Sequence, residues 1–91
     1  MNLLKHIALI KNLGFARPQV KEISCKDDSD WIIEQMQRKI VCLEKNILLE
    51  LEDGSEHKLS EDKVFDISSN TFYRVTTEED KAKYLIALKA A

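Results

Sequence analysis

The chain has 91 residues, 44 % hydrophobic and 33 % charged, with a formal net charge of −2. This is ordinary globular composition, which excludes collagen-like, disordered and disulfide-scaffold classes and fits a single domain over residues 1–91 with one small core. No apolar run approaches the ~18 residues that a membrane-spanning helix needs.

Leu3, Ile7, Ile10 and Leu13 recur on one helical face, Leu4 and Ala8 widen the stripe, and Gly14 stands where a C-terminal cap belongs. The spacing predicts a helix over 2–13. Lys5, His6 and Lys11 interrupt this apolar opening, and it is read as retained structure, not as a cleaved leader. Residues 14–30 are open between a short helix begun by Pro18 and a strand over 19–25, and the β-branched Val20 and Ile23 favour the strand.

Asp27-Asp-Ser-Asp30 resembles a helix start in its acids and its capping side chains, so a second helix is expected from about Asp30 to Lys39, with Glu34 and Arg38 paired across one turn. Ile33, Met36, Ile40, Leu43 and Ile47 also permit one long helix over 30–52. The continuous apolar run Ile40-Val-Cys-Leu43 and the alternation that follows favour strands after Lys39. Strands are predicted over 40–44, 47–52, 55–59, 64–67 and 71–76, as an antiparallel meander. Thr76 and Glu79 have capping-box spacing, and a final helix over 77–90 is expected with Ala82, Leu85, Ile86 and Leu88 inward. The expected fold is therefore a small α+β domain: N-terminal helix, second helix, β-meander and C-terminal helix.

Asp53-Gly54 between two short runs is the strongest local hairpin signal in the chain. A strict two-residue loop would mix charge into the apolar face. A three-residue loop with Gly54 left-handed sets Ile47 opposite Leu59 and Leu49 opposite His57, and is preferred. It also sets Glu50 opposite Glu56, a like-charge pair.

Charge is unevenly placed. Residues 1–26 hold five basic side chains against one acidic, a net +4, and residues 50–62 hold six acidic against one basic, a net −5. Glu50, Glu52, Asp53, Glu56, Glu61 and Asp62 thus form the candidate partner-binding site, suited to a protein with a basic surface. The expected function is a small non-enzymatic regulator, inhibitor or adaptor, with a homodimer left open. The second reading is a winged-helix regulator with helices 2–13, 18–24 and 29–39, a wing over 40–59, and Gln35, Gln37, Arg38 and Lys39 reading bases. A net −5 wing would repel the DNA backbone, so direct nucleic-acid binding ranks lower.

Catalytic and metal signatures are missing. Cys25, Cys42, His6 and His57 have no metal-ligand spacing, and two glycines cannot build a phosphate-cradling loop. His57 is read as a surface residue, Trp31 as a core anchor, and Phe72 and Tyr73 as opposite faces of one strand. No metal, no cofactor and no enzymatic activity are expected. Two thiols in a chain large enough for its own core indicate free, buried cysteines in a reducing cytoplasm.

Overall fold

The computed structural model describes residues 3–89. Helix α1 spans Leu3–Asn12, as its apolar spacing predicts, with residue 2 outside the described range. It turns Ile10 fully inward and Ile7 and Leu3 partly so, while Leu13 is left exposed. Gly14 ends it at φ +87, and its N–H donates to the Lys11 carbonyl.

Everything after α1 that is regular is strand. The strands are β1 (Phe15–Ile23), β2 (Arg38–Glu44), β3 (Ile47–Leu51), β4 (Glu56–Leu59), β5 (Val64–Ile67), β6 (Tyr73–Thr76) and β7 (Ala82–Lys89). One sheet has the order β1-β7-β2-β5 and the other β4-β3-β6, with antiparallel pairing throughout. Ile40, Cys42, Ile47, Leu49, Tyr73, Val75, Tyr84 and Ile86 belong to the core that joins the two inner faces. The outer face of the larger sheet carries Val41, Leu43, Leu85 and Ala87, and α1 covers it with Ile10. The molecule thus has three layers: helix, four-stranded sheet, three-stranded sheet.

This architecture corrects the helix-rich α+β expectation at three points. First, the meander is wrong. Only β3 and β4 pair as sequence neighbours, whereas β2 crosses to β5 and β7, and β3 crosses to β6. Second, no helix forms over 30–39, nor over 30–52. The Asp27 carboxylate accepts from the Ser24 N–H at 2.8 Å, a local turn that competes with helix initiation. Ile32 then exchanges two backbone hydrogen bonds with Tyr73, and the Gln37 carbonyl accepts from Lys89 N–H at 2.7 Å. The segment is spent stitching β6 to β7.

Third, the expected helix over 77–90, whose last residue lies outside the described range, is β7. This strand is central in its sheet, with Tyr84 and Ile86 facing the second sheet and Leu85 and Ala87 facing α1. A strand buried on both faces is a continuous apolar run, which by periodicity alone matches a helix. The capping chemistry exists one residue further on. Thr77 Oγ1 donates to the Asn46 carbonyl at 2.7 Å and accepts from Glu79 N–H, closing a turn instead of opening a helix.

In β1 the strand alternative holds, with an earlier start. Pro18 is tolerated because β1 is an edge strand, and Arg17 (φ 55) sits in a bulge between Ala16 and Gln19. The hairpin register is the bulged one: Ile47 faces Leu59, Leu49 faces His57 and Glu50 faces Glu56. Gly54 takes φ +88 with nothing near its would-be Cβ. Gly54→Ala is therefore expected to cost about 1 kcal/mol from backbone strain alone, and Gly54→Asn less, read from urea midpoints. No described helix is long and apolar enough to cross a membrane.

Candidate functional site

The six acids singled out by charge do not form one free surface. Glu50 Oε2 accepts from Arg74 Nη2 at 2.7 Å, which offsets its repulsion from the exposed Glu56 across the strand pair. Glu52 Oε1 accepts from Phe72 N–H, and Asp53 Oδ1 caps the hairpin turn through Ser55 N–H. Glu61 and Asp62 lie beyond the far end of β4 from that tip. Asp62 contacts His6 of α1 at 2.7 Å, and this hydrogen bond holds its carboxyl below the usual aspartate range. Glu50, Glu52, Asp53 and Asp62 thus hold the chain's own structure together.

The other singled-out side chains also land unevenly. Trp31 is exposed, not a core anchor, with the Arg74 guanidinium 5.0 Å above its ring. Phe72 and Tyr73 do point to opposite sides, Tyr73 buried and Phe72 out. His57 turns inward onto Phe65, with ring centroids 4.4 Å apart. Among the bases assigned to DNA reading, Lys39 pairs with Asp66 and Arg38 points into the molecule.

Arg38 is where the chemistry gathers. Its residue is 0 % exposed, and it stands on the inner face beside Leu88 of β7 and Ile67 of β5. Its guanidinium carbon lies 4.5 Å from the Tyr73 ring centroid, and Nη2 donates to the Thr71 carbonyl at 3.3 Å. Nε and Nη1 are buried without a hydrogen-bond partner, and no described carboxylate lies within ion-pair distance. Burial pushes its pKa down, partly opposed by the nearby charge of Glu34. A buried cation without a counter-ion is costly, and such a group calls for a ligand or a structural reason.

Beside it opens a groove of about 230 Å³. The bulged edge strand β1 supplies one wall with Arg17, Gln19 and Lys21, and the stitched segment supplies Ile32 and Glu34. Tyr73, Ile86 and Leu88 line its apolar part. The groove exists because β1 is an edge strand that the three-stranded sheet leaves uncovered, so inward-facing Gln19 and Lys21 are exposed. A second pocket near Asn46 and Thr77 measures about 70 Å³, room for a few waters only.

Sequence reasoning missed this site because its parts are scattered over β1, the 31–37 segment, β2, β6 and β7. One signal was available. Arg38 opens an otherwise apolar run, Ile40–Leu43, at the inward parity of Ile40 and Cys42, and a strand reading extended by two residues would have buried it.

The cysteines divide. Both are free, Cys42 buried and Cys25 exposed, which corrects the expectation of two buried thiols. Burial pushes the Cys42 thiol up from 9.0 to about 11, and its S–H donates to the Lys45 carbonyl. A disulfide-exchange reagent is expected to modify one thiol per native chain and both after unfolding. With the folded value raised, the stabilisation linked to this thiol is complete below about 9 and is lost as pH rises towards 11.

Comparison with known proteins identifies the architecture. No protein-family profile matches the sequence, and no curated protein matches it. Solved structures do. An RmlC-like cupin family protein with a double-stranded β-helix fold from Methanocaldococcus jannaschii superposes with a TM-score of 0.74 at 10 % identity, covering 85 % of this chain and 72 % of that one. Protein NMB1881 from Neisseria meningitidis gives 0.68 at 18 % identity, covering 98 % of each chain. The FeII form of HppE in complex with substrate gives 0.69 at 16 % identity, covering 78 % of this chain and 44 % of that one. This chain therefore spans less than half the length of that neighbour.

The fold is thus the cupin-type double-stranded β-helix, and at these identities the likeness speaks for fold alone. It overturns the regulator and winged-helix readings, since a helix–wing architecture is not what the chain forms. The expectation of no enzyme is corrected as well: the neighbours include DMSP lyases and hydroxypropylphosphonic acid epoxidase, so this scaffold carries chemistry elsewhere. Some of those neighbours hold FeII or CoII. The side chains present here do not fit such a metal. Among the described residues no three His, Cys, Asp or Glu converge, and the inner faces offer Cys42 held to a carbonyl and His57 stacked on Phe65. Imidazole and carboxylate clusters are what such metals require.

Proposed function

We propose that this chain is a cupin-type domain that takes a small organic molecule in the groove beside Arg38, without using a metal. The observation that carries the reading is a concave, partly apolar groove lined in part by Arg38, whose buried guanidinium keeps Nε and Nη1 without a hydrogen-bond partner. Small-molecule sites combine an apolar lining with a few placed polar groups in this way. At about 230 Å³ the groove is below the range of drug-sized pockets, so the occupant is fragment-sized. Any proton transfer on a bound molecule would fall to Glu34, Lys21 and Tyr73, which line the same space. The free thiols fit a reducing cytoplasm as the place of work.

Amide chemical-shift mapping with a fragment library tests this. Saturable shifts are expected at Lys21, Ile86 and Leu88. Gln19→Trp, which plugs the groove from an exposed edge position, should abolish them while leaving the rest of the spectrum in place. Shifts that map elsewhere, or that survive the plug, would sink the reading.

A further inference from the structure

We infer that the molecule the groove takes is an organic carboxylate with a short apolar body, and that Arg38 is its anchor. This rests on the groove being the working site and adds the chemical class of its occupant.

Three observations select the class. The charged side chains lining the groove are Arg17, Lys21 and Arg38 against Glu34 alone, so the space favours an anion. Other partly buried cations of the chain already hold an oxygen partner: Arg74 has Glu50 at 2.7 Å and Lys39 has Asp66 at 2.7 Å. Arg38 is more buried than either and, among the described residues, has the Thr71 carbonyl as its one oxygen partner.

Geometry separates a carboxylate from a phosphate. Tyr73 covers one face of the Arg38 guanidinium, leaving the in-plane N–H groups as donors; Nε–H and Nη1 lie on different edges, so the fork is made by one of them with the N–H of Nη2 that Thr71 does not take. Coplanar donors match the two oxygens of a planar carboxylate, and such bonds are among the strongest a protein makes. A phosphate dianion wants donors from several directions and more than one desolvated positive charge. Here the further cations, Arg17 and Lys21, sit exposed on β1. Beyond the anchor, Ile32, Ile86 and Leu88 provide an apolar lining for the body of the acid. Glu34, the one acid among the lining residues, opposes the ligand's charge.

The test titrates the full chain with isovalerate and benzoate, their neutral amides and inorganic phosphate, following groove amides and the Arg38 Nε–H resonance. The acids are expected to saturate the groove and to move the Nε–H signal. The matched amides should bind about 10- to 100-fold more weakly, the value of a charge-assisted hydrogen bond. Arg38→Gln should bring acid and amide to the same weak affinity, and Glu34→Gln should tighten the acids about two- to fivefold. If acids and amides bind the groove equally in the wild type, the carboxylate assignment falls and the groove reading stands. Phosphate binding in preference to the acids also overturns the assignment. If no compound, charged or neutral, reaches the groove there and in the fragment screen, both readings fall. The acid-to-amide ratio in the wild type needs no variant, so the outcome does not hang on Arg38→Gln folding.

Discussion

Arg38→Met is expected to leave the protein as stable as the wild type or more stable, by about 1–2 kcal/mol, while removing its response to carboxylates. The guanidinium gives less than it costs. It gives one hydrogen bond to the Thr71 carbonyl, at 3.3 Å a long one, and a stacking contact with Tyr73. A charged hydrogen bond contributes about 1.5–3 kcal/mol at good geometry, and a desolvated cation–π contact about 2 kcal/mol. Against these stands a fully buried positive charge with two N–H groups unsatisfied and no described carboxylate within ion-pair distance, a penalty of several kcal/mol. Methionine fills similar space with no polar atom and keeps an apolar contact with Tyr73. Urea unfolding of both proteins measures the difference. A loss above about 1 kcal/mol would make Arg38 a structural strut for the 68–72 turn, and the groove would lose the reason given for its charge. A gain with loss of binding is the signature of a residue kept for function at the expense of stability.

What the sequence made legible, and what it hid, follows from how each segment is buried. The hairpin was readable down to its register because β3 shows one face to the core and the other outward: Leu49 and Ile47 are fully buried while Leu48 and Glu50 are half out. Turn chemistry was readable too. Lys45, Gly54, Asp62 and Asn70 adopt positive φ in the four gaps between the strands predicted over 40–76. β7 was not readable as a strand, because burial on both faces erases the alternation that separates period 2 from period 3.6. Residues 24–37 misled in the opposite sense. Their acids and hydroxyls carry helix-start chemistry, but their backbone is claimed by Tyr73, Asn70 and Lys89, partners 36 to 52 positions away in sequence that no local pattern encodes. The same long-range pairing hid the groove. The candidate acids were visible because they are adjacent in sequence, whereas Arg38, Lys21, Glu34 and Tyr73 are adjacent only in the fold.

A paired truncation series turns that difference into numbers. Leu49→Ala is expected to cost about 3–4 kcal/mol, since Leu49 is fully buried between His57 and Val75 in the core between the sheets. A chain of this length has a total stability on the order of 5–14 kcal/mol, so this one change removes a large part of it. Leu48→Ala, one position away on the half-exposed face, should cost under about 1 kcal/mol. In β7 the asymmetry should vanish. Leu85→Ala opens a void under α1 and Ile86→Ala opens one between the sheets, so each should cost about 2–4 kcal/mol. Helices over 30–52 and 77–90 would instead set severity at spacings of three and four, with Ile47 and Leu43 severe and Leu49 mild. Urea midpoints at Leu48 and Leu49 decide between the patterns, since Leu85 and Ile86 point inward in both. Equal costs at Leu48 and Leu49 would contradict the one-sided strand, and a mild Leu85 would contradict α1 as the third layer on the sheet that carries the groove.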